Sequence, residues 1–290
     1  MFGRKKQIKK DTTAAQSIQY SQQSQRRLPQ LIATVHIVQG NRKYQQDHAW
    51  ISASEKLLAA NKKTRLMAAV CDGMGGMADG GRASETAIQM LQKGFQNIEN
   101  MPAVNLPAFF RQAIVTIDNT ISQFPKENGK GSGTTMVAVI AEDSHLYWAS
   151  VGDSRIYLIR GNEIYQITRD HNYELRLMEM VQKGQMTMEE AASHKKKEAL
   201  ISFLGIGGVK LMDISQTPIE LQLDDIILLC SDGITKTLTN EEIRDIIINN
   251  SQPVQDKAKI LVEHAARTNT RSQDNTSVAI LQYTEKEIKK

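Results

Sequence analysis

Four short β-rich runs, at residues 135–141, 146–151, 156–160 and 164–168, follow one another with only three or four residues between them. A parallel crossover needs about a dozen residues, so each run must turn back and pair antiparallel with its neighbour. Further strand signals stand at 33–38, 66–71, 214–220, 226–230 and 277–283. Elsewhere the apolar period becomes helical. Ala83, Ala87, Met90, Leu91 and Gly94 form one stripe, and Phe110, Ala113, Ile114, Ile117 and Ile121 a second. Ile243, Ile246 and Ile247 follow Thr239 and Glu242, which have the spacing of a capping box with Thr239 as N-cap. Ala258, Leu261, Val262 and Ala265 give one more stripe. Strands in series, with helices set apart from them, predict an α+β chain: antiparallel sheets inside, helices outside.

The chain has 290 residues, of which 40% are hydrophobic, enough for a full-sized core. No Pro/Gly/Ser linker divides it, so residues 29–284 are expected to form one domain. Residues 1–28, rich in Gln, Ser, Lys and Arg, read as a disordered leader, and 285–290 as a charged, frayed tail. The leader carries seven basic residues and one acid, whereas the whole chain sums to +4, so the domain itself is slightly acidic. That argues against nucleic acid as a partner of the core. The leader is a solvated segment in the simplest reading; its charge also suits an acidic partner or an anionic membrane surface. Two cysteines exclude a disulfide scaffold and a structural zinc site. No run reaches the roughly 20 apolar residues of a transmembrane segment, and the start has no apolar signal region. A cytoplasmic protein is expected, with a secreted effector lacking a classical signal peptide left open.

Two of the apolar strands end alike. Ala68-Ala69-Val70-Cys71 runs into Asp72-Gly73, and Ile227-Leu228-Leu229-Cys230 runs through Ser231 into Asp232-Gly233. Asp274-Asn275-Thr276 stands just before the last apolar strand. Any single Asp-Gly is ordinarily a turn. A buried strand, however, delivers its last residue to the edge of the core, where an ionised carboxylate is costly unless paired. A metal ion serves several carboxylates at once, and oxygen donors select Mg2+ or Mn2+ over zinc. Spacing alone leaves open whether the three aspartates meet. The glycine-dense segment after Asp72 lets backbone approach a ligand closely, but it has neither the Lys-Ser/Thr ending of a P-loop nor the dinucleotide spacing.

With these residues in view, the chain resembles the metal-dependent protein phosphatase 2C (PPM) family of Ser/Thr phosphatases, over about residues 33–283. Gly40-Asn41-Arg42, followed by Gln46-Asp47, is similar to that family's first motif, Gly-x-Arg and an acidic pair. Asp72-Gly73-Met74-Gly75-Gly76, Gly133-Thr134-Thr135, Gly152-Asp153-Ser154-Arg155, Thr168-Arg169-Asp170-His171, Ser231-Asp232-Gly233 and Asp274-Asn275 match later motifs in order. The resemblance implies an α-β-β-α sandwich, two central antiparallel sheets flanked by helices, with a flap region at about 169–200. It implies two Mn2+ or Mg2+ ions and a weaker third. Asp72 would bridge the two ions, the Gly73 carbonyl would bind one, and Asp232 and Asp274 the other. Asp47 would hold metal-bound water. Asp153, with Asp232, resembles the site of the third ion. Arg42 looks like the phosphate-binding arginine, its rigid fork suiting phosphate better than lysine. The implied reaction is hydrolysis of phosphoserine or phosphothreonine in protein substrates by a metal-bridging hydroxide, with the enzyme a monomer.

Two positions depart from the pattern. Met77 stands where the family often has a histidine proposed to protonate the leaving oxygen, and Gln46 replaces the usual glutamate before Asp47. The rival reading is a catalytically weak phosphatase fold used for regulation or binding; such a chain is expected to have lost one of Asp72, Asp232 or Asp274, and all three are present. Cys71 and Cys230 read as small buried hydrophobes. His48, beside Asp47, is a minor catalytic candidate; His171 reads as structural. His194-Lys195-Lys196-Lys197 reads as a solvated face or, alternatively, a basic rim that recruits phosphopeptides.

Overall fold

The computed structural model describes residues 26–53, 55–57, 64–75, 79–126, 131–249, 252–268 and 271–288. Residues 1–25, which make up most of the expected leader, and Met77 lie outside the described residues. The elements run β1 (Arg26–Val38), β2 (Asp47–Ile51), β3 (Glu55–Leu57), β4 (Arg65–Met74), α1 (Asp79–Gln96), α2 (Leu106–Ser122), β5 (Gly133–Thr134), β6 (Met136–Glu142), β7 (His145–Val151), β8 (Arg155–Arg160) and β9 (Glu163–Gln166). There follow α3 (Tyr173–Gln182), α4 (Met188–Ala192), β10 (Asp213–Ile214), β11 (Ile219–Glu220), β12 (Ile226–Cys230), α5 (Asp232–Thr235), α6 (Asn240–Ile248), α7 (Val254–Thr268) and β13 (Thr276–Ile288).

Two antiparallel sheets result. One has the order β3-β1-β13-β12-β8-β9; the other runs β10-β7-β6-β4-β2, with β11 also on β7 and β5 on β4. The two-residue period of each strand sorts its apolar side chains between two cores. On β4 and β6, Leu66, Ala68, Val70, Val137 and Val139 face the other sheet, where they meet Ile156, Ile227, Leu229, Ala279 and Leu281. The intervening Met67, Ala69, Cys71, Met136, Ala138 and Ile140 face outward onto α1 and α2 through Leu91, Phe110, Ile114 and Ile117. Tyr157, Leu228, Cys230, Val278 and Ile280 likewise pack on α6 and α7 through Ile243, Ile247, Leu261 and Val262. These strands read as continuously apolar because both faces are covered. The architecture is the expected α-β-β-α sandwich, and the Thr239–Glu242 capping box starts α6 as expected.

Several boundaries differ from expectation. β1 pairs with β13 from Arg26↔Ile288 onward, so the ladder runs beyond 29–284 at both ends. Ladder bonds join backbone groups, so charged side chains do not stop them. The strand expected at 214–220 is split into β10 and β11. Ser215 lies between the two, and its hydroxyl takes the Trp148 N–H at 2.9 Å in place of a ladder carbonyl. Pro218, just before β11, has no N–H to offer. β2 and β3 were not signalled. The 169–200 region contains α3 and α4, and α4 opens on a capping box, Thr187 with Glu190. Its stem is closed by Asn172↔Leu200 pairing and by the Ile201 N–H donating to the His171 carbonyl at 2.9 Å.

One buried charge organises the return from that region. Asp118 on α2 is 1% exposed. Its carboxylate accepts four backbone N–H bonds, from Gly205 at 2.8 Å, Gly207 at 3.2 Å, Gly208 at 2.6 Å and Val209 at 3.0 Å. Next to that loop, Leu204 and Thr134 exchange both backbone bonds at 2.9 Å. Asp118→Ala would leave four donors without their acceptor and should cost roughly 3 kcal/mol or more, read as a lowered urea midpoint. Asp118→Asn, which retains one acceptor oxygen, should fall between the two.

Candidate functional site

Asp47 and Asp72 are directly opposed in the β2–β4 ladder, so their side chains share a face. That face is the one that looks between the sheets, since Val70 and Ala49, two residues away on each strand, lie there. Asp153 sits in the β7–β8 turn, Asp232 opens α5 just after β12, and Asp274 precedes β13. All these junctions fall at one end of the sandwich. Arg42, Asp72, Gly73, Asp153, Asp232 and Asp274 line a single cavity there of about 280 Å3, with Thr135, Lys236 and Asn275 in its wall. Asp47 lies behind the cavity, 1% exposed. Ser231 Oγ donates to its Oδ2 at 2.6 Å and in turn accepts the Ser277 N–H at 2.9 Å.

The loops are held by close backbone contact. A Cβ on Gly73 would stand 2.1 Å from the Gly80 carbonyl oxygen, and one on Gly233 2.2 Å from that of Asn275. Only glycine fits beside either aspartate. The Asn275 side chain ties the first loop to the start of β13, accepting the Gln46 N–H at 2.8 Å and donating to the Gln39 carbonyl at 2.7 Å. Asp72 is fixed through its backbone: its N–H donates to Thr135 Oγ1 at 3.0 Å and its carbonyl accepts from Thr134 Oγ1 at 2.9 Å.

The electrostatics are those of acids pressed together. Burial, reinforced by Asp232, pushes Asp47 and Asp153 up to about 7 from the usual 3.8. Asp72 is raised well above its usual range, first by burial and then by Asp47, Asp232, Asp153 and Asp274. Two cations answer them. Arg42 meets Asp274 at 2.6 Å, and Lys236 Nζ donates to Asp232. Burial pulls Lys236 down, but Asp232, Asp153 and Asp274 outweigh it and leave its ammonium above 10.5. Asp47 Oδ1 is buried with no hydrogen-bond partner.

The other sequence candidates are placed clearly. His48 points to the far face of β2, where its Nδ1 lies 2.9 Å from Ser84 Oγ on α1; it does not line the cavity. His171 is structural. Its Nδ1 accepts the Gly152 N–H at 3.1 Å, which assigns the proton to Nε2, 3.1 Å from Asp213. Cys71 and Cys230 are buried free thiols, pushed up by that burial. Lys197 lines a second cavity that shares Asp153, Asp232 and Lys236 with the first. Lys236 itself escaped the sequence reading; its signal was the four-residue offset from Asp232, which on a helical turn brings ammonium to carboxylate.

The donor set suits a hard divalent ion. The cavity offers carboxylate and carbonyl oxygen with no thiolate or imidazole, and an unpartnered carboxylate oxygen lies behind it. Among the described residues no three acidic, cysteine or histidine side chains already converge on one ion position. Asp232 and Asp274 are instead turned to Lys236 and Arg42.

A sequence profile described as Protein phosphatase 2C matches residues 33–177. The serine/threonine phosphatase stp of Listeria welshimeri is 31% identical over 225 residues, covering 77% of this chain and 86% of that one. The Streptococcus agalactiae serine/threonine phosphatase superposes with a TM-score of 0.74 at 27% identity, over 87% of this chain and 99% of the other. The catalytic domain of the phosphatase PstP, solved in complex with 2 manganese ions, superposes with a TM-score of 0.67 at 27% identity, over 88% and 99%.

The raised carboxyls fix a pH dependence. Between 3.8 and about 7 the folded state binds protons at Asp47 and Asp153 that the unfolded chain has released, so stability falls as pH rises through that window. In chelator, the melting temperature should decline from about pH 4 to about pH 7 and then level off. Asp153→Asn should flatten the decline, and Mn2+ should oppose it. A slope unchanged in the variant would contradict the assignment.

Proposed function

The chain belongs to the protein phosphatase 2C family and is a protein serine/threonine phosphatase, and we propose that the cavity at the sandwich end is its active centre. The observation that carries this is the delivery of Asp72, Asp153, Asp232 and Asp274 from separate elements to one cavity with a guanidinium at its wall. The family is metal-dependent, and the ions proposed here are two of Mn2+ or Mg2+, the former being the ion in the PstP complex. Asp72, the Gly73 carbonyl, Asp232 and Asp274 would hold them. Bound divalent ions supply an acidified water as nucleophile and neutralise charge on the phosphoryl oxygens.

The chain's own residues do the rest. Arg42, its side chain 59% exposed, can leave Asp274 and present its fork to two phosphate oxygens. Asp47, fixed by Ser231, stands behind Asp72 with a free oxygen lone pair for orienting water. Asp153 would offer a further carboxylate at the same cavity. Protein substrates carrying phosphoserine or phosphothreonine are proposed, acted on by a cytoplasmic monomer; among the described residues no helix is long and apolar enough to cross a membrane. Against the regulatory-module alternative stand the retention of Asp72, Asp232 and Asp274 and the phosphatase relatives.

Hydrolysis of para-nitrophenyl phosphate and of a phosphothreonine peptide should require Mn2+ or Mg2+ and vanish in excess EDTA; Asp72→Asn should abolish it while the melting curve remains cooperative. Full turnover in EDTA would exclude the metal centre. Arg42→Ala should chiefly raise KM, by a factor of roughly 10–100, the worth of a charged hydrogen bond. An unaltered KM would remove Arg42 from the phosphate site.

A further inference from the structure

Lys236 occupies a position that the phosphatase reading does not use. It follows Asp232 by four residues, and the turn between them is closed by the Lys236 N–H donating to the Asp232 carbonyl at 2.8 Å. Its side chain folds back so that Nζ donates to Asp232 Oδ2. The same ammonium lies in the wall between two cavities, and Asp153, Asp232 and Lys236 line both. The neighbouring arginines are committed elsewhere, Arg42 to Asp274 and Arg155 to Asp170. Lys197 lines only the second cavity, whereas Lys236 lines both, pairs with Asp232 and acts on Asp153.

A further divalent ion between Asp153 and Asp232 would be repelled by an ammonium held against Asp232 Oδ2, whereas the two-ion centre can draw on the other oxygen of Asp232. An ion entering there would have to displace the lysine, whose tether gives it a high local concentration and whose stem is already folded over the helix turn. We propose that Lys236 is a built-in cation that takes, at the Asp153–Asp232 pair, the place a further divalent ion would otherwise fill. The loaded centre then holds its two ions and no third. This rests on the metal-centre reading above, and it replaces the weaker third ion implied by the family resemblance with a residue of the chain.

The test counts bound Mn2+ by equilibrium dialysis and elemental analysis at millimolar Mn2+, with no activity measured. Wild type and Lys236→Arg should bind equal numbers of ions. Lys236→Met, which retains the stem and loses the charge, should bind one more per chain, and Asp153→Asn in that background should lose it again. Thermal unfolding of each variant establishes that it is folded, and Lys236→Gln stands in if Lys236→Met is not. Equal binding by wild type and by the uncharged variants would overturn the proposal while leaving the two-ion centre intact. Failure of wild type to bind Mn2+ above the level of Asp72→Asn would overturn the metal-centre reading, and this inference with it.

Discussion

Mutual repulsion among carboxylates that the fold crowds into one end of an apolar sandwich is the constraint to which the rest of the structure answers. Asp72 feels Asp47, Asp232, Asp153 and Asp274 at once, in a setting where burial already disfavours charge. Such an arrangement persists only if the backbone delivers each carboxylate independently of what it costs to put them together. Here six strand ends do so, drawn from both sheets. The inter-sheet core of Val70, Ile227, Leu229 and Ala279 supplies the driving force, since each large aliphatic side chain buried is worth about 1.5–3 kcal/mol.

The support extends well behind the cavity. The Asp118 carboxylate gathers the loop at 205–209, Leu204 locks onto Thr134, and Thr134 and Thr135 hold the backbone of Asp72 from both sides. On the other side, Asn275 and Ser231 connect Asp47 and the first loop to β12 and β13. Next to the acids these bonds run through backbone groups and neutral side chains, which fix position without adding charge. Arg42 and Lys236, the two cations that do touch them, are both more than half exposed.

Much of this was legible in the sequence, for identifiable reasons. Residues 226–230 are apolar throughout because both faces are buried, and Asp232-Gly233 marks where the strand meets the edge of the core. The motif order gave the cavity residues. What escaped lacked a local signature. β2 carries Asp47 and His48 and becomes a strand only through pairing with β4. Asp118 looks like any polar residue on the exposed side of a helix until four N–H groups from a distant loop are seen to converge on it. Lys236 could have been found, since its offset from Asp232 is the spacing of a helical ion pair. The Thr187–Glu190 capping box was equally readable and was overlooked within a region read as a flap.

Strand β13 lies between β1 and β12, so the six-stranded sheet is finished by insertion of a late segment into its middle rather than by addition at an edge. Asp274 and Asn275 arrive with that segment. During synthesis, Asp47 and Asp72 emerge long before the residues that complete their surroundings, and the ladder between β1 and β13 has the largest sequence separation in the fold. A chain that stops short of β13 has Asp47, Asp72, Asp153 and Asp232 but lacks Asp274 and the strand that joins β1 to β12. On the proposed assignment the acidic cluster is completed only when β13 is inserted, so the last strand to be made both closes the sheet and brings in Asp274.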